Sequence, residues 1–314
     1  MHLPNFLAFM EKSLYFKQVL LILRTLPHIA VEKRFALKGG TALNLFVREM
    51  PRLSVDIDLS WLPLQPRDIA LEHISLALGG IAERIRRKVP GASVHETCLR
   101  GTKQVVKLVV SDPEAMIKIE PNLVLRGTVF PHVERELCTA AKRFFELSVT
   151  APTLSIPDLY GGKLCACLDR QHPRDIFDIM KLMENEGITN DIRTAFIVYL
   201  ASHHRPMSEL LDPGKKDFLQ TYEREFAGMP FRDVAYGDLL NARDVLIQAI
   251  RQDLTESERL FLLSIKQGQP DWTLIPVTDI EQLPAIRWKL HNIQKMTMAK
   301  RKKAIEKLRR VLDV

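Results

Sequence analysis

Phe35-Ala-Leu-Lys-Gly-Gly-Thr41, running on through Ala42-Leu-Asn-Leu-Phe-Val47 to Leu53-Ser-Val-Asp-Ile-Asp-Leu-Ser60, is the stretch on which the reading of this chain turns. A short apolar run ends in Gly39-Gly40, and Thr41 to Val47 has the apolar spacing of a helix. Leu53 to Ser60 alternates like a strand, with Asp56 and Asp58 two residues apart. Residues two apart on a strand share a face, roughly 6.6 Å apart along the chain. Both carboxylates therefore look the same way. Hard cations such as Mg²⁺ take one or two carboxylates plus phosphate oxygens. A glycine pair opening a helix offers backbone N–H groups and a positive dipole end to a phosphate. A phosphate cradle beside metal-binding carboxylates points to phosphoryl or nucleotidyl transfer.

Outward from this stretch the chain is ordinary in composition. Its 314 residues are 46% hydrophobic and 26% charged, enough for a real core and for two domains. Four scattered cysteines (Cys98, Cys138, Cys165, Cys167) do not make a disulfide framework. Cys165 and Cys167 diverge on a helix, so buried thiols in a reducing cytoplasm are expected. Lys17, Arg24 and Pro27 interrupt the most apolar early segment, and no membrane span or cleavable leader is expected. The net charge of +7 is uneven: from Arg287 to Val314 ten lysines and arginines face Glu306 and Asp313, a net +8. The preceding 286 residues are thus near neutral.

The periodicities predict an amphipathic helix over 5–26 closed by Pro27, the glycine turn and its helix, the Asp-x-Asp strand, and a helix over 66–89. Strand-like runs follow at 92–99, 103–110 and 115–123. In the last, Lys118, Glu120 and Asn122 share one face, and Pro121 reads as an edge or an end. Beyond Pro152 the pattern becomes helical: 159–170, 174–186, 190–203, 214–226, 236–252 and 255–266. A connector with a strand-like piece at 272–277 leads to a basic C-terminal helix. Asp158 reads as a helix cap, and His203-His204 as helix-end residues without a metal partner.

The order Gly-Gly-Thr, helix, Asp-hydrophobic-Asp resembles the polymerase-β-like nucleotidyltransferases. Four motifs narrow this further: Lys38-Gly-Gly-Thr-Ala-Leu43; Arg52-x-Ser54-x-Asp56-Ile-Asp58-Leu59; Lys118-Ile-Glu120; and Lys163-Leu-Cys-Ala-Cys-Leu-Asp-Arg170 followed by Arg174-Asp175-Ile-Phe-Asp178. Together they resemble the AbiEii family, nucleotidyltransferase-like toxins of bacterial type IV toxin–antitoxin and abortive-infection systems. The resemblance implies a Mg²⁺-dependent enzyme, with two ions, that uses a nucleoside triphosphate to add nucleotides to RNA, with the tRNA acceptor end as target and a separate antitoxin as partner. By motif, Lys38, Gly39, Gly40 and Thr41 would hold the triphosphate with Arg52 and Ser54. Asp56 and Asp58 would hold metal, with Glu120 as a third carboxylate. Lys163 would contact the triphosphate, Asp175 would be an essential polar residue, and Asp178 would fix local structure. The chemistry is consistent: paired cations steady attacking and leaving oxygens, a lysine neutralises the departing pyrophosphate, and Asp58 or Glu120 assists deprotonation of the 3′-hydroxyl.

In the tail, Lys300-Arg301-Lys302-Lys303 is followed by Ala304, Ile305, Leu308, Val311 and Leu312 at helical spacing. Such a basic amphipathic helix suits RNA, a membrane surface or a partner. The neutral body and the lack of a bulky aromatic on the stripe favour RNA. The expected architecture is α+β: a polymerase-β-like domain with a small mixed sheet and flanking helices over 1–150, a helical domain over 151–286, and a basic tail helix over 287–314. Transfer to a protein or small-molecule hydroxyl, or silent nucleotide or RNA binding, are the alternatives. Loss of toxicity in Asp56→Ala would separate enzyme from binder.

Overall fold

A computed structural model describes residues 13–314. The chain divides into two compact units: residues up to 155 together with 228–232, and residues 156–227 together with 233–314. The second unit begins at Ile156 and contains the tail, and five residues from the helical half belong to the first.

The first unit is built on one seven-stranded mixed sheet. Its strands are β1 (Phe35–Lys38), β2 (Ile57–Trp61), β3 (Ser93–Cys98), β4 (Val105–Ser111), β5 (Met116–Asn122), β6 (Val133–Glu136) and β7 (Thr150–Thr153). Their spatial order is β3-β4-β5-β2-β1-β7-β6. β2 lies antiparallel to β1 and parallel to β5, and β1 runs parallel to β7. The two strands of the opening stretch therefore sit at the sheet's centre. Their apolar residues Phe35, Leu37, Ile57, Leu59 and Trp61 are all buried. Helices α1 (Leu14–Ala30) and α3 (Arg67–Lys88) touch one another and pack on the sheet. Between β1 and β2, α2 (Gly39–Ala42) widens at once into a π-type turn over Leu43–Val47, where Arg48 N–H reaches Leu43 O at 2.8 Å. Helix α4 (Thr139–Phe145) precedes β7.

Several expectations change here. Residues 5–12 of the first predicted helix lie outside the described residues. Pro27 does not close that helix, which continues to Ala30. The lost N–H bond costs less there than leaving Leu26 and Ile29 exposed, both of which are buried. β5 is not an edge strand, yet β4 pairs with it only as far as Ile119. Pro121 thus has no β4 residue opposite and breaks no ladder on that side. β6 and β7 escape sequence reading because each is four residues long and polar or Pro-containing.

The second unit is all helical: α5 (Ile156–Arg170), α6 (Pro173–Glu184), α7 (Asn190–Ser202), α8 (Met207–Leu211), α9 (Leu219–Glu225), α10 (Tyr236–Asp253), α11 (Glu256–Gln267), α12 (Pro284–Gln294) and α13 (Met298–Leu312). Gly161 lets α5 approach α7 closely, since a β-carbon there would lie 2.7 Å from the Phe196 nitrogen. Asp158 lies inside the first turn of α5, which begins at Ile156, rather than at the cap expected of it, and its buried carboxylate accepts the Tyr199 hydroxyl at 2.6 Å. The strand-like piece at 272–277 is instead a short 3₁₀ turn over Trp272–Leu274. The basic tail is two helices, α12 and α13, with Thr297 capping the second. Cys138, Cys165 and Cys167 are buried free thiols, whereas Cys98 is exposed. Burial pushes the Cys165 and Cys167 thiols far above their ordinary pKa. Among the described residues no helix is long and apolar enough to cross a membrane.

Candidate active site

Three strands bring three charged residues into one row. Asp58 on β2 pairs with Lys38 on β1 and with Glu120 on β5. Register partners on adjacent strands lie about 4.8 Å apart and point to the same face. Asp56 immediately precedes β2, and the alternation of half-buried Asp56 and Asp58 with buried Ile57 and Leu59 sets the carboxylates apart from the core.

The glycine pair is pressed against this row. Gly39 has φ +68°, the left-handed region, and a β-carbon at that position would overlap Oδ2 of Asp58. Only glycine meets both conditions without strain. A β-carbon at Gly40 would lie 2.7 Å from Ser54 Oγ and 2.9 Å from Arg52 Nη2. Arg52 and Ser54 thus form a floor beneath the turn. Arg52 is only 2% exposed and donates from Nη1 to the Leu53 carbonyl at 2.8 Å. Thr41 is also buried: its hydroxyl donates to the Asp56 carbonyl at 2.5 Å and lies 3.1 Å from Ser54 Oγ. It ties the turn to the acidic segment through the backbone. A feature that local sequence does not announce secures the other side. Leu53 N–H bonds to Met229 O at 2.9 Å and Phe231 N–H to Pro51 O at 3.1 Å, a short antiparallel bridge formed by the far segment 228–232.

The donor set of Asp56 and Asp58 fits a hard divalent cation, which takes carboxylate oxygens and completes its shell with phosphate oxygens. A third carboxylate does not join them. Among the described residues no group of three His, Cys, Asp or Glu side chains is placed to hold a metal. Glu120, although in register with Asp58, is ion-paired to Lys107 at 2.8 Å, a partner missed in the sequence. The two residues lie on the adjacent strands β4 and β5, whose pairing sequence spacing does not reveal.

The second unit carries its own polar cluster. Lys163 Nζ lies 3.1 Å from Asp175 Oδ1 and 3.0 Å from Asp178 Oδ2, and Arg170 Nη2 donates to Asp175 Oδ2 at 2.7 Å. Lys163, Asp175 and Asp178 are buried, while the Arg170 side chain is 61% exposed. Burial pushes the Asp175 carboxyl up, but Lys163 and Arg170 outweigh it and hold its pKa below the ordinary carboxylate value. Asp178 pairs with Lys163, and Arg174 turns to Glu225 at 3.7 Å. Helix α6 makes this possible: Pro173 opens it, His172 Nδ1 caps it by accepting from Arg174 N–H, and Asp175 and Asp178 fall on one side at spacing three.

Of the four basic tail residues, Arg301 is turned inward, donating to the Ile293 and Gln294 carbonyls at the end of α12. Lys300 and Lys303 border a cleft, and Lys302 is exposed.

A glycine turn packed on a strand aspartate inside a mixed sheet, with a helical unit downstream, is an arrangement suited to nucleotidyl transfer. The model of the family described as nucleotidyl transferase AbiEii toxin, type IV TA system, matches residues 21–292, and this chain belongs to that family. It is therefore a nucleotidyltransferase toxin of the type IV toxin–antitoxin class, which implies an antitoxin partner. In fold it is similar to MenT4, a nucleotidyltransferase toxin from Mycobacterium tuberculosis H37Rv. The TM-score is 0.61 at 14% identity over 96% of this chain and 98% of that one. No curated protein sequence matches it.

Proposed function

We propose that this toxin is a cytoplasmic, Mg²⁺-dependent enzyme that moves a nucleoside monophosphate from a nucleoside triphosphate to RNA, with the tRNA 3′ acceptor end as its first target. The contact of Gly39 with the Asp58 carboxylate carries the reading, because it puts an anion-binding turn and a cation-binding carboxylate side by side. When bound, the cations would neutralise the triphosphate and steady the attacking and leaving oxygens.

The chain's own residues supply the rest. The Gly39 and Gly40 backbone receives phosphate oxygens, with Lys38 beside it in the strand row. Thr41, Arg52 and Ser54 act from below by fixing the turn and the Asp56 backbone. Asp56 and Asp58 hold the cation. Glu120, whose side chain is 42% exposed, is the remaining carboxylate of the row available to accept a hydroxyl proton. In the second unit Lys163 and Asp175 work as one polar unit with Arg170, and Lys163 is the residue that the motif assigns to the triphosphate. Lys300, Lys302 and Lys303 contribute charge toward RNA phosphates.

The test is incubation of the purified protein with total bacterial tRNA, Mg²⁺ and each α-³²P-labelled NTP in turn, beside Asp56→Ala and Lys163→Ala. Label in the tRNA band with one NTP, lost in both variants, is the expected result. Label on protein or a small molecule would replace RNA as acceptor, and NTP binding without any label would leave a silent binder.

A further inference from the structure

Lys266 on α11 is the least accounted-for charge of the second unit. It is 8% exposed, and its ammonium makes no hydrogen bond or ion pair among the described residues. Burial alone lowers its pKa, and the neighbouring Lys289 gives it no relief: that ammonium is spent on the His203 and Arg205 carbonyls at 2.6 and 2.9 Å. The stem is buried, so the ammonium is partly desolvated at the cleft with no anion to offset it, which is unfavourable. Lys266 opens into a cleft of about 330 Å³ in which Met207 and Leu308 supply apolar lining. Lys300, Lys303 and Lys307, three residues on one side of α13, stand around the same cleft. One carboxylate is present, Glu209, and it is already shared by Arg205 at 3.1 Å and Lys307 at 3.7 Å.

We propose that this cleft is a second, non-catalytic site that binds a phosphorylated nucleotide unit, with its phosphate on Lys266 and the three α13 lysines and its base against the apolar lining. Ammonium groups bind phosphate as point charges and need no planar fork. Thioether and aliphatic side chains accept a flat base without dictating which one. A few hundred Å³ is the size range of small-ligand sites. The same chemistry can arrive as one nucleotide of an RNA strand or as a free mononucleotide. The proposal deepens the RNA reading of the tail, but it uses none of the residues assigned to transfer.

The experiment is fluorescence anisotropy with a labelled single-stranded RNA, without NTP, on the full chain carrying Asp56→Ala so that transfer cannot intervene. Lys266→Met keeps the side-chain length and removes an unpaired buried charge, so its unfolding midpoint should not fall. Expected is a roughly tenfold weaker RNA affinity and a salt dependence shallower by about one phosphate contact. Lys302→Ala loses the same charge from α13, outside the cleft, and should change affinity less. AMP that binds directly and displaces RNA, both weakened by Lys266→Met, identifies a mononucleotide as occupant. RNA binding indifferent to AMP assigns the site to the strand. Equal losses in Lys266→Met and Lys302→Ala, or no loss in Lys266→Met, would overturn the site. If the otherwise native chain still labels tRNA in that event, the transfer reading survives; if the parent binds neither RNA nor AMP, the cleft proposal falls regardless of transfer.

Discussion

The ammonium of Lys163 lies 3.0 Å from Oδ2 of Asp178, and the two side chains are only 7% and 3% exposed. Lys163 is thus held from two sides, by the first acidic residue of the Arg-Asp-x-x-Asp motif and by its second. Asp178 is not a surface ornament of that motif. Removing one partner of a buried pair strands the other's charge. Asp178→Ala should therefore cost about 3–5 kcal/mol of stability. Urea unfolding of the single variants and of Lys163→Met/Asp178→Ala checks this, and the double variant should recover part of the loss.

Gly39 should be irreplaceable for a reason separable from its loop. Gly39→Ala must place a β-carbon on the Asp58 carboxylate at φ +68°. The left-handed backbone alone costs about 1–2 kcal/mol. Moving Asp58 should cut nucleotide transfer by at least a hundredfold. Gly39→Ala and Asp58→Ala together should lose no more activity than Asp58→Ala alone. A larger combined loss would show that the turn acts independently of Asp58.

Glu120 and Lys107 separate proton transfer from positioning. If Glu120 accepts the hydroxyl proton, Glu120→Gln should lower kcat by about 10²–10⁴-fold with little change in KM for the nucleotide. Lys107→Ala, which frees the carboxylate from its ion pair, should leave transfer within an order of magnitude of the parent. Equal, small effects in both variants would return the base to Asp58.

His203 gives the protein an acid-sensitive joint. Burial and the adjacent His204 hold its pKa down at about 4, and its Nδ1 accepts the Arg205 N–H at 3.2 Å, which requires an unprotonated nitrogen. The native state therefore binds fewer protons here than the unfolded chain between about pH 4 and 6.5. This contribution is complete above that window and is lost as pH falls through it, at most on the order of 2–3 kcal/mol. His203→Gln should flatten the stability slope over those pH values. The depressed Asp175 carboxyl acts separately, since its contribution is lost only as pH falls below the ordinary carboxylate range.

Chelation gives a further check. EDTA should abolish transfer and leave the unfolding midpoint nearly unchanged, because Asp58 lies on a strand secured by β1 and β5 and the Asp56 carbonyl just before it is held by the Thr41 hydroxyl. A midpoint that drops sharply on chelation would make the ion structural.

What the sequence alone determined is local and periodic. The glycine pair, the two-residue spacing of Asp56 and Asp58, the alternation through Glu120 and the three-residue spacing of Asp175 and Asp178 each follow from backbone geometry within a few residues. With their order along the chain they sufficed for the fold class and the family. Tertiary structure decided which of these groups are engaged, and with what. Lys107 meets Glu120 only because β4 pairs with β5 in one register. Arg52 becomes a buried floor only because Gly40 has no side chain to hold it off, and Pro51–Leu53 is secured by a segment some 180 residues later in the chain. The basic tail looks uniform as a string, yet Arg301 is spent on helix carbonyls while Lys300 and Lys303 join Lys266 around a cleft. Charge can be read from residue type; its partner cannot, because the partner is set by packing between elements far apart in the chain.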